Sequence, residues 1–294
     1  MGISKVMRRA GLAAAALVAA ASATAAGTTL EAAADPATDM EAEGSLRVCS
    51  STQDAPFSDA DATGFENRIA GIVAEAMGRE LEHVWIDKAA IYLVRDGIDD
   101  GKCDVVMGVD QNDPRLLTSI PYYRTSYVFV SREDRGFDGE KWQDADTAGI
   151  ERFSYRFHSP AETILKYSGK YENNLAYSRS LINFKSRRNQ YINVPAERVV
   201  AEVVDGHADV AIAFASAVAR YVTKASTPLR MQIITNDIER LDGKIIPLTY
   251  AQSIGVAKRV PDLVEEINAA LQESAAEIRA VLEEEGVPLL PLES

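Results

Sequence analysis

Apolar and polar positions fall into a regular order from Leu46 onward. Leu46-Arg47-Val48-Cys49 has the period of a strand that runs into a polar loop. From Phe65 to Gly78 the apolar residues Ile69, Ile72, Val73, Ala76 and Met77 recur at helical spacing, and Gly78 supplies a stop. Leu81 to Ile86 reads as a second strand, and Ile91 to Ile98 as a short helix closed by Asp99-Asp100-Gly101. Cys103 to Val109 is a third strand, almost wholly apolar, as expected when both faces are covered. Strand, helix, strand, helix, strand is an α/β unit built on a parallel sheet.

The frame then recurs. Helical Val199 to Val204 leads through Asp205-Gly206-His207-Ala208-Asp209-Val210 into the apolar strand Ala211 to Phe214. Asp100-Gly101-Lys102-Cys103-Asp104-Val105 leads in the same way into Val106 and Met107, so the two places share D-G-x-x-D-V before a buried strand. Tyr122 to Val130 is a strong β segment, followed by the charged loop Ser131 to Gly139, which suits a crossing between two halves. Ser253 to Ala257 is a strand that leads to Pro261, and the chain then reads as helical to Glu285, with Gly286 as the stop.

The segment ahead of Leu46 decides the compartment. Lys5, Arg8 and Arg9 precede a small-apolar run from Ala10 to Ala21, and Ala23-Thr24-Ala25 offers the small-x-small pattern of signal cleavage. The run is mostly Ala and short of the ~20 strongly apolar residues a bilayer span needs, so residues 1–25 read as a signal peptide rather than an anchor. Residues 26–45 are Ala-rich and acidic and lack aromatics, the composition of a flexible leader. Removing the three basic residues of the head takes the formal net charge from −13 to −16. Such a balance argues against nucleic-acid or anionic-membrane binding, which both call for a basic face.

Two cysteines remain in an oxidising compartment, Cys49 and Cys103, and a disulfide between them is the natural expectation. Two buried free thiols are the other reading, and the distance between their Cα atoms decides.

The order of landmarks resembles the periplasmic solute-binding proteins of polar-amino-acid uptake systems, over nearly all of the chain after the leader. The landmarks are Pro56-Phe57, Gly64-Phe65-Glu66, Gly101-x-x-Asp104, Arg115 seven residues after Gly108, Pro121-Tyr122-Tyr123, Gly206-x-x-Asp209-Val210 and Ser253 to Ala257. A narrower resemblance is to the binding-protein-like accessory components of methanol oxidation systems. It rests on Cys49 with Gly101 to Gly108, Asp113 to Thr118, Pro121 to Arg124 with Tyr127 to Val130, Ala208 to Ala215, and Glu285 to Pro291. The resemblance implies an α/β, two-lobed periplasmic solute-binding protein fold of type II, each lobe a mixed sheet flanked by helices. Lobe 1 is expected to span 46–130 plus 247–294, and lobe 2 to span 131–246. It also implies a periplasmic location, and a PQQ-dependent methanol dehydrogenase and its cytochrome c as partners. The competing reading is the substrate-binding component of an ABC transporter for a small polar solute.

Asp54, Phe57, Phe65, Asp110, Arg115, Ser159 and Phe214 are the cleft candidates. In the amino-acid binders an Arg at the position of Arg115 grips the ligand carboxylate, through the match between a planar guanidinium and two oxygens. The carboxylate that normally holds the ammonium group stands five residues after the Asp209 equivalent, and here that residue is Phe214. Asp110 and Asp113 beside Arg115 are expected to neutralise it, so free amino acids are not the expected ligands. Ser159-Pro160-Ala161-Glu162 has the form of a capping box, at a helix start that opens on the cleft in this fold. Ile150 to Asn193 holds eight basic residues against three acidic ones and is interleaved with tyrosines, which makes Lys185, Arg187 and Arg188 partner-interface candidates.

Enzyme signatures are missing. His83, His158 and His207 are scattered, with no HExxH, no CxxC and no zinc spacing, so no metal is expected. There is no Walker loop, GxGxxG or GxSxG elbow, so neither a cofactor nor a catalytic residue is assigned.

Overall fold

The computed structural model describes residues 44–147, 149–182 and 193–292. The signal peptide, most of the leader, and Lys185, Arg187 and Arg188 lie outside the described residues.

Strand β1 (Ser45–Ser51) is followed by a small hairpin of β2 (Gln53–Asp54) and β3 (Ser58–Asp59), then helix α1 (Phe65–Ala76) and β4 (Glu80–Ile86). A 3-10 turn at Ala90–Tyr92 and a π-helical turn at Val94–Ile98 lead to β5 (Val105–Asp110) and the short β6 (Leu117–Thr118). After the long β7 (Tyr123–Arg132) come β8 (Phe153–Tyr155), α2 (Pro160–Tyr167) and α3 (Tyr171–Leu181). Next are α4 (Ala196–Val204), β9 (Val210–Phe214), α5 (Ala215–Thr223) and β10 (Leu229–Ile233). The short β11 (Ile238–Glu239) and β12 (Ile245–Ile246) precede β13 (Thr249–Val256), α6 (Leu263–Glu273) and α7 (Ala275–Glu284). Among the described residues no helix is long and apolar enough to cross a membrane.

Helix α1 follows from its spacing: Phe65, Ile69 and Val73 stack on one face and are fully buried with Ala70. It ends where Gly78 takes a positive φ of 64° and Arg79 N–H reaches back to the Ala74 carbonyl. The repeated D-G-x-x-D-V frames are structural on both occasions. Gly101 and Gly206 turn at φ of 71° and 72°. Asp104 then takes a forked pair from Arg47 at 2.8 and 3.0 Å, and Asp209 accepts the N–H groups of Glu151 and Arg152.

The main sheet has the order β4-β1-β5-β13-β7-β9-β8, with β10 added to β7 and β6 to β13. Pairing is parallel across β4-β1-β5 and between β8 and β9, and antiparallel where β13 meets β5 and β7. The strands fall into two mixed sheets, as expected, and these are joined into one hydrogen-bonded path through β7, which belongs to both. The cause is the length of β7. Its Tyr123–Ser126 end pairs with β13, while Tyr127–Ser131 pairs with β9 and Val128–Arg132 with β10. Four apolar clusters flank the network; one gathers α1, α6 and α7, and another gathers α4, β9 and α5.

Three local expectations are corrected. Cys103 precedes β5 rather than lying in it, because the Gly101 turn delays the strand to Val105. The short helix expected over Ile91 to Ile98 is a 3-10 turn and a π turn, since Asp99 N–H bonds Val94 O. The long C-terminal helix is two helices that meet at Ser274.

Candidate ligand cleft

The hairpin between β2 and β3 is clamped onto the start of α1. Phe65 N–H donates to Pro56 O and Glu66 N–H to Phe57 O, both at 3.0 Å. Gly64 permits this approach: a Cβ there would fall on Phe57 O and stand 2.6 Å from Ser58 Cα. The clamp sets the Phe57 ring 5.1 Å from that of Phe65 and brings Glu66, in the first turn of α1, toward the C-terminal ends of β1 and β5. A cavity of 370 Å³ opens there. From the other side it is closed by Tyr127 of β7, the His158-Ser159-Pro160 entry to α2, Phe214 at the end of β9, and Tyr250 of β13.

Five of the seven cleft candidates line this cavity: Asp54, Phe57, Asp110, Ser159 and Phe214. Two do not. Phe65 is fully buried in the core beneath Phe57. Arg115 stands outside, its Nε and Nη2 on the Asp113 carboxylate at 3.0 and 2.6 Å, with its side chain 58% exposed. Hydrogen bonding from Arg115 holds the Asp113 carboxyl below the ordinary carboxylate range. Asp110 is occupied differently: its Oδ1 accepts Gln252 Nε2 at 2.8 Å. The capping box at Ser159 does not form as read. Ser159 Oγ donates to Arg156 O at 2.7 Å, and Glu162 accepts His158 N–H instead of reaching the Ser159 backbone.

The group that sequence reading passed over is Glu66. It is buried, and its Oε2 accepts a short hydrogen bond from Tyr122 Oη. Tyr122 Oη in turn accepts Gly108 N–H at 3.0 Å. Oε1 is buried without a hydrogen-bond partner. Burial pushes the Glu66 carboxyl up to about 8, against the lowering effect of Tyr122. Asp54 is pushed up to about 6, also by burial, and Arg156 at 3.9 Å pulls it back. Of the aromatic wall only Phe214 was expected, while Tyr127 and Tyr250 were not. Tyr127, Phe214 and Tyr250 form a closed set with ring centroids 5.6, 5.8 and 6.3 Å apart.

The ionisable residues lining the cavity are Asp54, Glu66, Asp110 and His158, with no Lys or Arg among them. Among the described residues no group of three or more His, Cys, Asp or Glu could hold a metal ion. At the cavity wall Cys49, a lining residue, forms a disulfide with Cys103, their Cα atoms 5.5 Å apart.

Residues 46–281 match the family of bacterial extracellular solute-binding proteins, family 3. Protein MoxJ of Paracoccus denitrificans is 60% identical over 246 residues, which cover 84% of this chain and 89% of that relative. The crystal structure of MxaJ from Methlophaga aminisulfidivorans MPT matches with a TM-score of 0.78 and 44% identity, over 83% of this chain and 100% of that one. The periplasmic binding protein XoxJ from Methylobacterium extorquens AM1 matches with a TM-score of 0.61 and 27% identity, over 84% and 99% of the two chains.

Proposed function

This chain belongs to the bacterial extracellular solute-binding proteins, family 3, and from that premise we propose that it is a periplasmic accessory of a methanol oxidation system. In this reading it supports the assembly or activity of a PQQ-dependent methanol dehydrogenase, with the dehydrogenase and its cytochrome c as partners, and does not feed a permease. The observation that carries the reading is the 60% identity to protein MoxJ over 84% of this chain and 89% of that relative. The two lobes of this reading are 46–130 with 247–294, and 131–246. The cores around α1, α6 and α7 and around α4, β9 and α5 support that division, although Ala219 of α5 packs in the first and Phe57 and Met231 touch both. The contact surface proposed for the partner is the basic stretch Ile150 to Asn193, of which Lys185, Arg187 and Arg188 lie outside the described residues.

Deleting the gene from its host should abolish growth on methanol and dehydrogenase activity in the periplasmic fraction, with growth on succinate retained. The chain supplied in trans should restore both. Undiminished growth and activity on methanol in the deletion strain would remove the accessory role.

The cleft geometry bears on the transport alternative. Both halves of an amino-acid grip are missing: Arg115 is held by Asp113 outside the cavity, and Phe214 occupies the position of the ammonium-binding carboxylate. A guanidinium forked onto Asp113 through Nε and Nη2 has its charge matched locally and is held outside the cavity, where it meets no cleft ligand. Calorimetry with each standard amino acid should therefore detect no binding in the micromolar range. A micromolar titration with any of them would revive the transporter reading.

A further inference from the structure

We propose that the cleft binds a small primary ammonium ion carried on an apolar body, with the ammonium group on Glu66 Oε1 and the body against Tyr127, Phe214 and Tyr250. The sign of the charge comes first. Three carboxyl residues and one histidine line the cavity, with no Lys or Arg among them. Arg156, 3.9 Å from Asp54, is already matched to that carboxylate, so the lining favours a cation over an anion. A polycarboxylate such as a quinone cofactor is therefore a poor occupant.

The second observation is the orphaned acceptor. Glu66 is only 3% exposed, its Oε2 is taken by Tyr122, the Tyr123 hydroxyl also acts on the carboxyl, and Oε1 makes no hydrogen bond of good geometry. A buried carboxylate oxygen left unpaired is costly, and an N–H donor on a cation is its strongest complement. Gly108 keeps the approach open: a Cβ there would stand 3.0 Å from Oε1, and its φ of 63° suits glycine. The third observation is the ring set, whose faces attract a cation at short range and cover an apolar body. A volume of 370 Å³ suits a molecule with one ring or a short chain.

Binding should also move a proton. With Tyr122, Tyr123 and Asp54 as the titratable groups that face it, Glu66 is pushed up to about 8 and is mostly neutral at pH 7. An ammonium group favours the carboxylate, so its arrival drives the Glu66 proton into the buffer.

Titration calorimetry at pH 7 with phenethylamine, 2-phenylethanol and 3-phenylpropanoate compares three bodies of similar shape and different charge. The amine should bind at least about tenfold more tightly than the alcohol, because its hydrogen bond is charge-assisted. The carboxylate should give no heat of binding. The amine's heat should also vary between buffers of different ionisation enthalpy, in the sense of proton release. Glu66→Gln should bring the amine down to the affinity of the alcohol and remove the buffer dependence. Phe214→Leu, which leaves Glu66 in place, should weaken the amine by about threefold and the alcohol less. Equal affinity for amine and alcohol, tighter binding of the carboxylate, or no binding of the amine would each overturn the proposal. This inference goes beyond the partnership with a dehydrogenase, and its failure would leave that reading untouched.

Discussion

Reducing the Cys49–Cys103 disulfide should lower the stability of the folded chain by about 4 kcal/mol, the chain-entropy value for a loop of this size. The two residues are 54 apart in sequence, so the bridge removes a large share of the conformations open to the unfolded chain. Both are buried, with Cys103 fully enclosed, so the bond also sits where solvent thiols reach it slowly. A difference of that size corresponds to a fall in melting temperature of about 10 °C for a domain of some 250 residues. Thermal melts of oxidised and fully reduced protein, each at the same pH, make the comparison. Coincident melts would show that the bridge contributes nothing. Gly97 provides a second reading of the same contact. A Cβ at Gly97 would fall on Cys49 Sγ, and would stand 2.9 Å from Ile86 Cδ1 and 3.0 Å from Cys103 Sγ. Gly97→Ala should therefore destabilise the oxidised protein strongly and the reduced protein less, since free thiols can rotate away. Mutation and reduction will then be non-additive, the mark of groups in direct contact.

The pairing of these cysteines was accessible in outline from the sequence because only two remain in a compartment expected to be oxidising. Its geometry was not, since it depends on the register that sets Val48 opposite Val105 and Cys49 opposite Val106. The same limit explains the sheet. The segment Tyr122 to Val130 was legible as a strand, but nothing in its composition marks the step at Tyr127 where pairing with β13 gives way to pairing with β9. Five of the candidates drawn from the resemblance line the cavity, and Arg115 and Phe65 do not. Arg115 is drawn off by Asp113 two residues away, a local pairing that the sequence already displayed. Glu66 carried a signal that went unread. It falls at the spacing of the buried stripe of α1, with Ile69, Ala70 and Val73, and an acid on an apolar stripe needs a reason. Tyr127 and Tyr250 carried none, since strand tyrosines are ordinary and only the crossing of β7 and β13 brings them to one cavity.

Glu285→Ala should be the most damaging single change to a charged residue, at about 3 kcal/mol. Glu285 follows α7 and grips Arg220 of α5 through two hydrogen bonds, Nε to Oε2 at 2.6 Å and Nη2 to Oε1 at 2.8 Å. Arg220 Nη2 also reaches Thr63 O at 3.2 Å, and Arg68 Nη1 approaches Glu285 at 3.7 Å. The two side chains are only 15% and 7% exposed, so solvent cannot stand in for a lost partner. Hydrogen bonding to Glu285 leads the causes that raise the Arg220 guanidinium above its usual value. Without Glu285 the guanidinium still keeps its proton at neutral pH by its own basicity, and it is left buried without that counter-ion. The double variant Arg220→Met with Glu285→Leu should cost less than Glu285→Ala alone, because no charge is then stranded. The contact also joins segments far apart in the chain: in the two-lobe division proposed above, Thr63 and Glu285 belong to one lobe and Arg220 to the other. A stranded Arg220 gains water if those lobes separate, so Glu285→Ala should increase the radius of gyration in solution scattering before it unfolds the protein. An unchanged radius together with an unchanged melt would show that this clasp is idle. A lowered melt with an unchanged radius would make it a stabilising pair that has no part in holding the cleft closed.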